Sequence, residues 1–521
     1  NMNRLFTLSK WLHKYAGLVL ILFLAWMSAS GVLMNHPDLI AGISVPKWLV
    51  PPQYPIENWN RSAMTQLLFS EWDPRLAYAC GKQGVWKSTD GGRNFSRMAI
   101  GFPEALFYRK TAHLYLWEGP YPVLLAATNN GLYACDLPAD QWRRLPFGEP
   151  GEEFKKIVRV GDSLVVFSES HAYRSPLPAK GLRFEKIPFS RSEPEPRVTL
   201  VRLFFDLHDG KVWGLPGKLL FDVAGIILFF LSISAFYAWY YPWKRRREKA
   251  RSALKSSRPL RRLFKWFLKY HLKLGMWAAV ILLIMGGTGL FMRPPLLAAL
   301  AYGSIPASLY PGALPDNPWD QKIHNALYDP LDNRLVVQAT DGMWSGPADF
   351  SGPFVPTALD VPIFVMGATV MEPAGESGYR IGSFNGIFEW QRSGHPPLDL
   401  LTGQPAGDVS AVRPAEMMIT AYWETPDGRA FVNTHRQGIV PLGGGGEVPF
   451  GMPPALREGY RMPLWNYLFE IHNGRFFEDL VGKWYILLVP LGSLLFVLIT
   501  LSGVFDWLYL NIFRKREPQR H

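Results

Sequence analysis

Four histidines stand at matched places in this chain, and imidazole can bind a metal, carry a proton or cap a helix. His13 lies in LHKYAGL, and its counterpart His271 lies in YHLKLGM, 258 residues further on. His208 lies in LHDG and its counterpart His472 in IHNG. On a helix, positions i and i+4 share a face, and i+18 returns to nearly the same azimuth. His13, Gly17 and Gly31 therefore form one stripe, and His271, Gly275 and Gly289 form its copy. A ligand-type side chain above a groove without side chains leaves room for something flat and large. Taken singly, an interfacial histidine is more often an anchor. Here both sites keep histidine in both copies, while neighbours diverge: Asn35 stands opposite Arg293, and His36 opposite Pro294. Two imidazoles facing each other across a bundle suit a b-type haem with both axial positions filled. Zinc would be left short of ligands by two histidines. The candidate iron ligands are thus His13, His271, His208 and His472, with Gly17 and Gly275 lining the cofactor and His36 as an alternate ligand.

The elements that must position these residues are apolar. Four blocks near 12–34, 219–241, 272–292 and 484–508 are each long enough to cross a hydrocarbon core of about 30 Å. The first lacks a signal-peptidase pattern and reads as a retained helix. The net charge of +12 is concentrated beside these blocks, at Arg4, Lys10 and Lys14, at Arg514, Lys515 and Arg516, and in the stretch from 243 to 272. This is the positive-inside pattern rather than a nucleic-acid footprint. It places both termini and the 244–268 loop in the cytoplasm, against anionic lipid. The expected spans are 1–36, 207–243, 269–293 and 466–510, with outer segments 37–206 and 294–465 and a cytoplasmic tail 511–521. The second and fourth spans are also copies, so the bundle is a two-helix unit written twice in one orientation. From His208 to Trp239 is 31 residues, about 47 Å of helix and longer than the core. Either the outer site sits at headgroup level or the helix breaks near Leu215-Pro216-Gly217. Asp222 and Asp506 are intramembrane carboxylates, candidates for a proton path or for haem-propionate partners.

The outer segments read as all-β. Alternating apolar runs such as RLAYAC, PVLLAAT, SLVVFS and RLVVQAT each enter a turn, at Gly84, Gly131, Ser170-His171, Gly342, Gly386 and Gly438. Short strands repeated every 40 to 50 residues or so point to propeller blades. Three on each side give a six-bladed β-propeller built from two three-blade halves, which avoids open edges. Ser88 to Phe95, STDGGRNF, resembles the Asp-box hairpin of BNR-type propellers, a structural turn. The two cysteines, Cys80 and Cys135, read as buried small apolar residues, although an outer compartment would also allow a bridge.

LHKYAGL with SGVLMN, YHLKLGM with TGLFMR, and the LHDG and IHNG starts followed by Gly-Lys resemble the PepSY-associated transmembrane family. That resemblance implies a bacterial inner-membrane protein like the ferric-siderophore reductases, with two b haems on His13, His271, His208 and His472. The expected function is transmembrane electron transfer, from a cytoplasmic reductase or quinol to a periplasmic protein or a ferric chelate. The cytoplasmic parts are too short for a flavin or nicotinamide domain, and no G-x-G-x-x-G opens a helix there. The alternative is a membrane-anchored propeller that serves as a binding or assembly module without a redox cofactor.

Overall fold

A computed structural model describes residues 2–177, 181–192, 196–250, 258–301, 303–376, 378–407 and 414–513. The chain divides into two compact units. One comprises Asn1–Ile40, Glu195–Leu314 and Leu464–His521, and the other Ala41–Pro194 and Pro315–Pro463.

The first unit is helical. Its main helices are α1 (Met2–Met34), α2 (Leu200–Asp209), α3 (Gly214–Ala250), α4 (Arg258–Gly289), α5 (Leu464–His472) and α6 (Tyr485–Leu508). Among the described residues, four stretches are long and apolar enough to cross a membrane: Met2–Met34, Lys211–Glu248, Arg258–Gly289 and Arg475–Phe513. Helices α1 and α4 each pack against both α3 and α6, so α1 and α4 face each other across the bundle. The shared core holds Leu20, Leu24, Leu228, Leu231, Leu282 and Phe496. Val19, Leu22 and Val280 are exposed on the outside, as a helix surface solvated by lipid requires. Small residues let the helices approach closely. A Cβ at Gly225 would come within 2.7 Å of Val32, and one at Gly286 within 2.8 Å of Phe496.

His208 and His472 do not lie on the long helices. Helix α2 ends at Asp209 and is capped by Gly210 (φ 81°), a short 3-10 turn follows, and α3 starts on a second reversal at Gly214 (φ 63°). The copy behaves alike, with Gly474 at φ 81° and Gly482 at φ 58° between α5 and α6. Left-handed backbone is open to glycine at little cost, so each chain reversal is written into the sequence as a glycine pair. The break therefore precedes Leu215-Pro216-Gly217, which begin α3. Pro216 is tolerated there because an N–H in a first turn has no helical partner to lose. The basic 244–268 segment is mostly helix rather than loop, because α3 runs through Ala250 and α4 starts at Arg258. Arginine, lysine and leucine are good helix formers and carry the spans past their apolar blocks. The middle of that segment, 251–257, and the basic cluster Arg514, Lys515 and Arg516 lie outside the described residues.

The second unit is propeller-like. Among the described residues it holds six antiparallel sheets of three to five strands, each a meander in chain order. Their first strands are β1 (Gln66–Phe69), β2 (Thr111–Trp117), β3 (Phe154–Val160), β4 (Ile323–Asp329), β5 (Val370–Ala374) and β6 (Ile419–Glu424). Each first strand lies beside the next, and β6 lies beside β1. Apolar layers fill the space between neighbouring sheets. Cys80 and Cys135 sit in one such layer with Leu114 and Leu124. Both are free thiols, and burial pushes each up to about 12. The STDGGRNF stretch is a hydrogen-bonded turn: Gly92 N donates to Ser88 Oγ (2.9 Å) and Asn94 N to Asp90 Oδ1 (2.9 Å).

Candidate cofactor site

His13 on α1 and His271 on α4 meet across the bundle, with ring centres 6.3 Å apart and planes at 87°. His208 on α2 and His472 on α5 meet in the same way, at 6.5 Å and 76°. All four histidines belong to the helical unit, and all four rings are only half-buried.

The Nδ1 atoms define the tautomer. His13 Nδ1 lies 2.8 Å from Ile499 O and 3.1 Å from Ser502 Oγ. His271 Nδ1 is 2.8 Å from Ser234 Oγ. His208 Nδ1 is 3.1 Å from Met285 O and 3.0 Å from Thr288 Oγ1. His472 Nδ1 is 2.8 Å from Ser30 Oγ. A carbonyl oxygen can only accept. Each hydroxyl has one proton, and each gives it to a carbonyl of its own helix: Ser30 to Trp26 O (2.8 Å), Ser234 to Leu231 O (3.0 Å), Thr288 to Ile284 O (2.7 Å) and Ser502 to Ile499 O (2.8 Å). The hydroxyls therefore accept from the imidazoles, and every Nδ1 is the protonated donor. Neutral imidazole then keeps its lone pair on Nε2, the arrangement of a histidine oriented to bind a metal.

The spacing suits one metal atom per pair. Two metal–nitrogen bonds of about 2.0 Å, with a ring radius of about 1.2 Å at each end, put the centres of an axial pair about 6.4 Å apart. No group of three or more His, Cys, Asp or Glu converges among the described residues. Each pair can thus offer two protein ligands, one on each side of a planar group that supplies the rest. A b-type haem fits that donor set. A Cβ at Gly17 would meet nothing within 4 Å, and one at Gly275 only Leu231 at 3.7 Å.

The glycines that touch an imidazole are others. A Cβ at Gly31 would lie 3.6 Å from His472 Cε1, at Gly289 3.5 Å from His208 Cε1, and at Gly503 2.9 Å from His13 Cε1. Each follows its hydroxyl residue, giving Ser30-Gly31, Thr288-Gly289 and Ser502-Gly503, with Ser234-Ala235 completing the set. The hydroxyl anchors the ring, and the small residue gives it space. This step was visible in SGVLM, TGLFM and SGVFD, but only a fold shows which histidine it receives. Along α1, Gly31 follows His13 by 18 residues, about 27 Å of helix rise between the two pairs. His36 stands outside both pairs. Its Nε2 lies 2.8 Å from Asp222 Oδ2, and Asn35 Nδ2 donates to Oδ1 at 2.9 Å, so this buried carboxylate has two polar partners.

Fold and site together define a membrane protein with a four-span helical unit, two facing histidine pairs and a propeller-like unit. The PepSY-associated TM region matches residues 10–509, and the chain belongs to that family. No curated protein matches it. Among solved structures, it is similar to the extracellular domain of BT4673 from B. thetaiotaomicron at 10% identity and a TM-score of 0.34, covering 76% of this chain and 40% of that one. The chain thus spans about two fifths of that domain. It is also similar to YCF48 from Cyanidioschyzon merolae, at 9% identity and a TM-score of 0.31, covering 74% of this chain and 97% of that one. The Neurospora crassa Pan2 WD40 domain gives 8% and 0.30, covering 78% and 96%.

Proposed function

We propose that this protein carries electrons across a bacterial inner membrane through two b haems, one held by His13 and His271 and the other by His208 and His472. The observation that carries this reading is the common state of the four imidazoles, each donating from Nδ1 and keeping Nε2 for a metal. A haem held by His13 and His271, or by His208 and His472, would supply one-electron transfer. The protein's part is to orient the rings. Ser30, Ser234, Thr288 and Ser502 fix their tautomer, and the apolar layer of Leu20, Leu24, Leu282 and Phe496 keeps the space between the pairs dry.

Basic residues at Arg4, Lys10 and Lys14 and in 244–268 put both termini inside. The β unit then lies in the periplasm, where its six sheets form a closed six-bladed propeller from two three-sheet halves. A quinol or a cytoplasmic reductase is the donor, and a periplasmic protein or ferric chelate is the acceptor, as in a ferric reductase. The test is a haem-to-protein ratio on purified protein. Two haems per chain are expected, with a sharp α band on reduction. His13→Ala and His472→Ala should each remove about half the pigment, since each breaks one bis-imidazole pair. A colourless, correctly folded protein expressed with haem available would leave a membrane-anchored propeller that binds a partner without redox chemistry.

A further inference from the structure

Arg293 stands just past the end of α4, and its place is fixed from two sides. Phe291 N donates to Thr288 O (2.9 Å) and Met292 N to Gly289 O (3.3 Å), so the chain keeps turning beyond Gly289. A Cβ at Gly289 would lie 3.5 Å from His208 Cε1. From the other copy, a Cβ at Gly474, two residues after His472, would lie 3.2 Å from Tyr485 O. The Arg293 guanidinium is 5.6 Å from the centre of the Tyr485 ring. Arg293 thus bridges the end of α4 and the start of α6, beside both elements that carry the facing imidazoles.

Its charged neighbours hold each other. Arg475 donates from Nε to Glu470 Oε2 (2.5 Å) and from Nη2 to Oε1, a bidentate pair that occupies both carboxylate oxygens. The three groups together leave one positive charge. Arg293 is half-buried, its Nε is buried with no hydrogen-bond partner, and its hydrogen-bonding neighbour is the neutral Tyr485 phenol. Unlike Nε, its terminal nitrogens are not sealed off without a partner. Burial, the largest influence on it, pulls the guanidinium below its ordinary value, yet arginine stays charged in proteins. The matched position in the other copy is Asn35, which has an internal carboxylate: its Nδ2 donates to Asp222. A guanidinium drawn out of water beside an already neutral ion pair calls for an anion of its own.

We infer that Arg293 anchors a propionate of the haem held between His208 and His472. This rests on the haem reading of the two pairs and adds to it the residue that recognises the acidic edge of the cofactor. The planar fork of an arginine suits a carboxylate bidentately, and the Tyr485 ring lies against it. Asp222 does not serve in that part, since a carboxylate repels a propionate and Asp222 is already engaged by Asn35 and His36.

The test is titration of the haem-free full chain in detergent with haem b and with its dimethyl ester, which keeps the iron and the ring but has no carboxylate. A His13→Ala background leaves the His208–His472 pair to be read alone. There haem b should bind about ten- to a hundredfold more tightly than the ester, the worth of a charge-assisted hydrogen bond. Arg293→Met should abolish that preference by weakening the acid form alone. A purely structural role would weaken both forms equally, and that result would overturn the inference. Should Arg293→Met misfold, Arg293→Lys carries the test: it keeps the charge but loses the fork, so the preference should shrink several-fold. Equal affinities before substitution would also overturn the inference, as would an unchanged preference in either variant, which would give the guanidinium to a lipid phosphate. An unsubstituted chain that binds neither form at either pair would instead remove the haem reading on which the inference stands.

Discussion

At the scale of single residues, each imidazole is held by a hydroxyl from a neighbouring helix. The four anchors are not equally redundant. His13 Nδ1 has Ile499 O besides Ser502, and His208 Nδ1 has Met285 O besides Thr288, whereas Ser30 is the partner of His472 Nδ1. Loss of such an orienting group typically costs about ten- to a hundredfold in metal affinity. If the pairs hold haem as proposed, Ser30→Ala should therefore weaken its retention at the His208–His472 pair by about that factor, and Ser502→Ala at the His13–His271 pair by clearly less. Haem titration into apo-protein, with the two sites resolved by their spectra, measures both. Equal losses in the two variants would show that the backbone carbonyl carries none of the orientation.

Among the elements, the glycine reversals decide where the His208–His472 pair stands. Gly210 is left-handed, and a Cβ there would press within 2.6 Å of Gly217 O and 2.8 Å of Phe221. Gly210→Ala should lower stability by about 1–3 kcal/mol, combining the left-handed penalty with the clash. It should release pigment from the His208–His472 pair first, because that reversal sets the angle of α2. Gly503→Ala is its counterpart at the His13–His271 pair: its Cβ would sit 2.9 Å from His13 Cε1. On the proposed haem reading, that variant should bleach the His13–His271 site while the His208–His472 site keeps its spectrum. Thermal melts followed at the Soret band distinguish the two losses.

For the whole molecule, the order of the six sheets depends on contacts between neighbours, and some of those contacts titrate. Glu153 lies between Lys110 (2.7 Å) and Lys155 (2.8 Å), tying the start of β3 to the residue before β2. Burial alone would push its carboxyl up, but the two ammonium groups outweigh that and hold it well below the usual range. A depressed folded-state value means that the unfolded chain binds the proton first. The stabilisation is thus present above about pH 4.5 and is lost as pH falls below it. Glu153→Gln should flatten the acid limb of the stability profile between about pH 5 and 3. Tryptophan fluorescence during denaturant unfolding at each pH would register the change, and an unaltered slope would assign acid sensitivity to other groups.

The duplicated pattern in the sequence determined the four apolar spans and the four histidines, because a membrane helix must be continuously apolar and any exception stands out. It also determined the Gly-punctuated sheets, since a strand period of two ending at a glycine turn is a local signal. The duplication already suggested that His13 pairs with His271 and His208 with His472, but tertiary structure alone decided that the rings stand 6.3 and 6.5 Å apart. Ring separation depends on how α1 and α4 cross the bundle, and no local rule encodes that. It alone assigned Ser30, Ser234, Thr288 and Ser502 to their imidazoles, each on a different helix from the ring it holds. His36 was drawn to Asp222 rather than to either pair because the α1–α3 contact leaves a buried carboxylate needing donors. The cavity of the β unit was illegible for the same reason, as its lining comes from six strands spread from Gln66 to Glu424.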